Sequence, residues 1–180
     1  ITKLVIEQLA PKTVSVIAHS MGGAIGVLLA GQLPNIVRFV NIEGNLVAGD
    51  CGLVSRNTAK QPLSDFEQYG YREFLDMLTT SDRADFRTWA EWYRQAAPHA
   101  IHASAQSMVE WSDSGKLLDK FNTFKHKTYI YGDEEPKDYL LPYLLGTDIH
   151  YIPKLKHFMM IENPDQFFTV ITEILKKEGE

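Results

Sequence analysis

Residues 13–30 read TVSVIAHSMGGAIGVLLA. Thr13–Ala18 is an apolar, β-branched run, too short for a helix and suited to a strand covered on both faces. Ala24–Leu33 (AIGVLLAGQL) carries Ala and Leu at helical spacing and stops at Pro34. Between them, His19, Ser20, Met21, Gly22 and Gly23 leave room only for a tight turn. The stretch is therefore strand, turn, helix, and a strand buried on both faces points to a parallel sheet.

Val37–Ile42 (VRFVNI) repeats the buried-strand pattern after a turn at Pro34 and Asn35, which makes strand, helix and strand one right-handed crossover. From about Ser55 to Lys125 the apolar spacing turns helical and aromatic, in segments beginning near Leu63, Ala84, Ala100 and Lys116. Thr128–Tyr131 and Asp148–Ile152 are short β-rich runs. Pro164–Lys177 reads as a closing amphipathic helix capped by Asn163. The expected class is α/β, with core at residues 1–54, a helical cap or lid at 55–126, and core again at 127–180. Because Ile1 leads straight into the amphipathic segment Lys3–Leu9, the chain is expected to be a fragment.

Composition narrows the function. With 44% hydrophobic and 23% charged residues, the 180-residue chain can bury a core, and its net charge of −5 without basic clusters argues against nucleic acid as a partner. No apolar run approaches the roughly 20 residues that span a bilayer, and no leader pattern opens the chain, so a cytoplasmic protein with a small-molecule partner is expected. Cys51 stands alone, which removes an internal disulfide and disfavours a thiolate metal site.

The turn itself carries chemistry. A hydroxyl becomes a useful nucleophile when it is held exposed on a sharp turn beside a base, with small residues on either side. Ala18-His19-Ser20-Met21-Gly22 has that form, G-x-S-x-G with Ala18 for the first glycine. Ser20 is the candidate nucleophile and the Met21 backbone N–H the candidate oxyanion donor. Gly22 and Gly23 are expected to allow close packing on the neighbouring strand. The competing reading is that Ser20 merely caps the following helix.

From Lys3 to the last helix, the sequence resembles the α/β-hydrolase family, in particular ester hydrolases whose turn reads H-S-M-G-G. That resemblance implies a parallel sheet flanked by helices, a helical cap insertion, and only the C-terminal part of the fold. It also implies where the base lies: after the last strand, in LKHFMMIENPDQF, at His157, although Lys156 stands where glycine is usual. His19 adjoins the nucleophile, so its side chain is expected to point elsewhere. Three carboxylates compete to orient the base: Glu43 at the end of VNIEGN, Glu135 at the Gly-x-x-Asp spacing after Gly132, and Asp133 beside it.

Related dehalogenases and epoxide hydrolases carry a carboxylate at the position of Ser20. Serine instead implies an acyl-enzyme that water cleaves, on an apolar acyl substrate, with neither metal nor organic cofactor. Aromatic residues of the insert, such as Phe74, Trp89 and Tyr93, are read mainly as its own core. The family's earlier strands and its second oxyanion donor have no counterpart in this chain. The nucleophile strand is thus expected to show an apolar edge suited to a missing N-terminal segment or a second copy. The alternative function is a truncated, non-catalytic binding or association protein on the same fold.

Overall fold

The computed structural model describes residues 1–176; Lys177, to which the closing helix was expected to run, lies outside the described residues. Two compact units are present, one made of Ile1–Asp50 with Trp111 onward, the other of Cys51–Glu110.

The first unit is built on a four-stranded sheet. Its strands are β1 (Val14–His19), β2 (Ile36–Ile42), β3 (Lys127–Tyr131) and β4 (Asp148–Tyr151), in spatial order β1-β2-β3-β4. Every neighbouring pair is parallel. Around it lie α1 (Thr2–Leu9), α2 (Met21–Ala30), α8 (Lys116–Asn122), α9 (Met159–Glu162) and α10 (Pro164–Lys176).

Alternation along β2 sends its side chains to two separate cores. Val40 and Ile42 join Ile130, Ile152, Met159 and, from α10, Phe167, Ile171 and Ile174. On the other face Phe39 stacks on Phe124 at 5.2 Å and meets Phe121 of α8 edge-on at 5.8 Å. Gly26 lets α2 approach this face: a Cβ there would lie 2.8 Å from the Phe39 ring and 3.3 Å from the Ala18 Cβ. Asn163 caps α10 as its sequence suggests, its Oδ1 accepting the Gln166 N–H at 3.1 Å.

The second unit is helical: α3 (Gly52–Lys60), a short α4 (Leu63–Asp65) continued by a π turn at Phe66–Gly70 into α5 (Tyr71–Thr80), α6 (Ala84–Tyr93), and α7 (Pro98–Asp113) up to Glu110. Its core is Leu78, Ala90 and Tyr93, with Tyr71, Phe74 and Trp89 packed around them. Tyr71 stacks on Tyr93 at 4.9 Å and Phe74 meets Trp89 edge-on at 5.2 Å, so these rings fill the unit itself.

Two details differ from the sequence reading. The helix α3 (GLVSRNTAK) was not anticipated, because it has few apolar residues to show a period. The helical unit spans 51–110 where 55–126 was expected, since α8 packs on the sheet through Phe121.

Among the described residues β1 has a partner on one side only, and α1 buries none of its residues. Leu4, Leu9, Ile17 and Ile25 are exposed. No helix among the described residues is long and apolar enough to cross a membrane.

Candidate active site

Parallel strands bring their C-terminal ends to one edge of the sheet, and the loops that leave this edge carry the candidate residues. His19, the last residue of β1, pairs with Ile42, the last of β2. The Ser20 N–H donates to the Ile42 carbonyl at 3.0 Å, and the Glu43 N–H to the Ile130 carbonyl at 2.9 Å. Ser20 and Glu43 thus leave adjacent strands at the same level.

Both residues turn with positive φ, 53° at Ser20 and 43° at Glu43, a region that costs a side chain about 1–3 kcal/mol unless its surroundings impose it. The imposing contact lies just behind. A Cβ on Gly23 would sit 2.6 Å from the Gly44 Cα and 2.9 Å from Asn41 Oδ1, so the turns after β1 and β2 pack backbone to backbone. Asn41 Oδ1 accepts the Gly44 N–H at 2.7 Å, and the Asn45 N–H donates to the Ser20 carbonyl at 3.3 Å. Gly22, expected to share this role, has open space at its Cβ position; the tight approach belongs to Gly23 and to Gly44, which the sequence reading missed.

Ser20 precedes α2 without a side-chain cap hydrogen bond, so its hydroxyl is not occupied in capping the helix. Met21 opens α2, where a backbone N–H has no partner within the helix. A donor is therefore available beside Ser20, at the positive end of the helix.

His157 lies in the loop after β4. Its Nδ1–H donates to Glu43 Oε2 at 2.7 Å, while Glu43 Oε1 accepts the Gly132 N–H at 2.9 Å. The Glu43 side chain is 1% exposed and that of His157 26% exposed. Burial by itself raises the Glu43 pKa. The hydrogen bonds from His157 and the Gly132 amide, with the charges of His157 and Lys137, outweigh it and hold the carboxyl below its ordinary 4.5. Gly132 admits no side chain, because a Cβ would lie 2.1 Å from the Leu155 carbonyl oxygen. Lys156, in the place where glycine is usual, needs no left-handed backbone: the positive φ of this loop falls at Lys154.

The other two candidate carboxylates are engaged elsewhere. Asp133 is exposed, accepts the Lys154 N–H at 2.7 Å and is bonded by the Tyr151 hydroxyl, contacts that lower its pKa. Glu135 is exposed and pairs with Lys137 at 3.8 Å. Neither is bonded to His157, whereas the unanticipated Glu134 accepts the His157 N–H at 3.4 Å.

Among the rival histidines, His102 is buried with its Nε2 on the Gln61 carbonyl at 2.8 Å, and His150 pairs with Asp148 at 3.0 Å. His19 differs from expectation. Its ring does not turn away but lies 4.5 Å from the His157 ring, and its Nε2 is 2.8 Å from the His157 carbonyl.

The sequence matches the Alpha/beta hydrolase family over residues 2–170, and the chain belongs to that family. Solved structures resemble it at low sequence identity. A hydrolase from Pseudomonas aeruginosa is 14% identical at a TM-score of 0.69, the match covering 97% of this chain and 69% of that one. An esterase from Exiguobacterium antarcticum is 15% identical at 0.67, covering 96% and 70%. The enol-lactonase from Burkholderia xenovorans is 18% identical at 0.67, covering 96% and 69%. At these identities the likeness is one of fold, and it extends over about two thirds of each neighbour. No curated protein sequence matches the chain.

Proposed function

We propose that the chain carries the catalytic residues of a serine hydrolase that cleaves a carboxylic ester or lactone through an acyl-enzyme on Ser20. The observation that supports this most is the 2.7 Å bond between His157 Nδ1–H and the buried Glu43 carboxylate, in loops that leave the sheet beside the strained turn at Ser20. With Nδ1 protonated, the neutral imidazole has its lone pair on Nε2, the form a general base requires.

In this mechanism Ser20 Oγ attacks the acyl carbon while His157 Nε2 takes the hydroxyl proton. The Met21 N–H donates to the oxygen that becomes negative, and the ionised Glu43 stabilises the imidazolium. Collapse of the tetrahedral intermediate breaks the bond to the alcohol, which leaves with the proton from His157. Water then attacks the acyl-enzyme, giving its proton to His157, and the second collapse returns that proton to Ser20 Oγ. No step needs a metal or an organic cofactor. The ester or lactone class is supported by the neighbours described as an esterase and an enol-lactonase.

The test is intact mass after treatment with a fluorophosphonate. A single adduct that disappears in Ser20→Ala is expected. An unlabelled chain, or an adduct that persists in Ser20→Ala, removes the reading and favours an association protein, whose exposed β1 edge and α1 face would then be its working surface.

A further inference from the structure

We propose that His19 is a positioning residue for His157, fixing the base from the neighbouring strand end by a hydrogen bond to its backbone and by ring packing. The proposal rests on the serine-hydrolase reading and adds to it a second histidine, with a defined protonation state, that sits beside the base.

The contact begins with strand alternation. Ala18 faces α2, next to Gly26, so His19 projects from the opposite face of β1, toward the loop after β4. A carbonyl oxygen can only accept, so the 2.8 Å contact requires a hydrogen on His19 Nε2. The neutral His19 ring is therefore the Nε2–H tautomer. Its face lies 4.5 Å from the His157 ring, tilted 46°, and Phe158 closes the group at 5.4 Å from His19 and 5.1 Å from His157. His157 is thus held at two points. Its ring is held by Glu43 from the end of β2, and its backbone by His19 from the end of β1. Both strand ends are in turn tied together, through the Ser20 N–H on the Ile42 carbonyl. Because Ser20 follows His19 directly, the same residue links the nucleophile's turn to the loop of its base.

The charge state suits this task. Burial first, then the nearby His157, push the His19 pKa down to about 4, against the opposing effects of its backbone hydrogen bond and Glu43. Throughout the neutral range His19 is an uncharged aromatic face, so the imidazolium formed on His157 during catalysis meets no second positive charge there. The other ionisable groups around His157 are Glu43 after β2, Glu134 after β3 and, through Glu43, Lys137; Glu162 of α9 holds the adjacent Lys156 N–H.

The experiment compares wild type, His19→Phe and His19→Gln for the rate of Ser20 phosphonylation between pH 5 and 9, with thermal unfolding of each. Phe keeps a ring against His157 without a donor; Gln restores a donor without the ring. A base displaced by a fraction of an ångström loses rate steeply, so His19→Phe is expected to label at least about tenfold more slowly. His19→Gln, which restores a donor to the His157 carbonyl, should recover part of the rate. Equal labelling rates in wild type and His19→Phe overturn this proposal alone. Absence of labelling in the wild type overturns the hydrolase reading and this one with it. An independent readout needs no activity: ¹⁵N shifts of the imidazoles should show His19 neutral, with the hydrogen on Nε2, at pH 6. A hydrogen on Nδ1, or a charged His19 at that pH, also overturns it.

Discussion

At Glu43 two features meet in one residue: a carboxylate buried against His157, and a chain that turns with positive φ directly after a strand. Asp133 and Glu135 satisfy neither, being exposed and bonded to Tyr151, Lys154 and Lys137. Under the mechanism proposed above, Glu43→Gln should lower kcat/KM for an ester by about 10³–10⁴-fold, the loss that follows when a triad acid no longer fixes the base's tautomer. Asp133→Asn and Glu135→Gln should stay within a few-fold of wild type, and steady-state kinetics on the labelled-competent chain distinguish them. The two glycines of the turn make a second comparison. Gly22→Ala enters open space in a helix and should be neutral or stabilising by up to about 1 kcal/mol. Gly23→Ala would drive a methyl against Gly44 at 2.6 Å and should destabilise by about 1–3 kcal/mol, read as a lower urea midpoint.

Elements here are set by which face they bury. Along α10 the buried residues Phe167, Ile171 and Ile174 recur at helical spacing, while Phe168 is 56% exposed. Two adjacent phenylalanines should thus behave differently in urea unfolding. Phe167→Ala removes a ring from the Val40–Ile130 core and should cost about 3–5 kcal/mol. Phe168→Ala should cost less than about 1 kcal/mol, as surface truncations do. Comparable losses would mean that α10 is rotated from the face described. Such faces were readable in advance wherever the apolar period was clear, as in α10 and in β1 with α2. α3 escaped because a helix with so few apolar residues shows no period.

For the molecule as a whole, the site makes stability depend on acid. His19 is neutral when folded, with its pKa lowered from 6.5 to about 4, whereas the unfolded chain takes up a proton below 6.5. Stability should therefore fall as pH drops from 6.5 toward 4, by up to about 3 kcal/mol from this residue. Glu43, whose folded pKa lies below 4.5, adds a loss of the same sign below that pH. Denaturant midpoints measured from pH 7 to 4 should decline in wild type and decline less in His19→Phe. A flat profile in the wild type would show that burial of His19 is not maintained in solution.

Local pattern is sufficient for the strand-turn-helix at Ser20 and the parallel class of the sheet, because both follow from short-range periodicity and chain order; the choice of His157 after the last strand rests on the family resemblance. Local pattern leaves Glu43, Glu135 and Asp133 in competition, since all three follow strand ends and local sequence does not say which loop bends toward the histidine. The fold resolves their positions through long-range contacts: Gly23 against Gly44 sets the turn at Glu43, and the Gly132 amide reaches across from β3 to hold its carboxylate. The meeting of His19 with His157, 138 residues apart in the chain, has the same origin. Which side chains share a site depends on how strand ends align in the sheet, and that alignment is a property of the packed molecule.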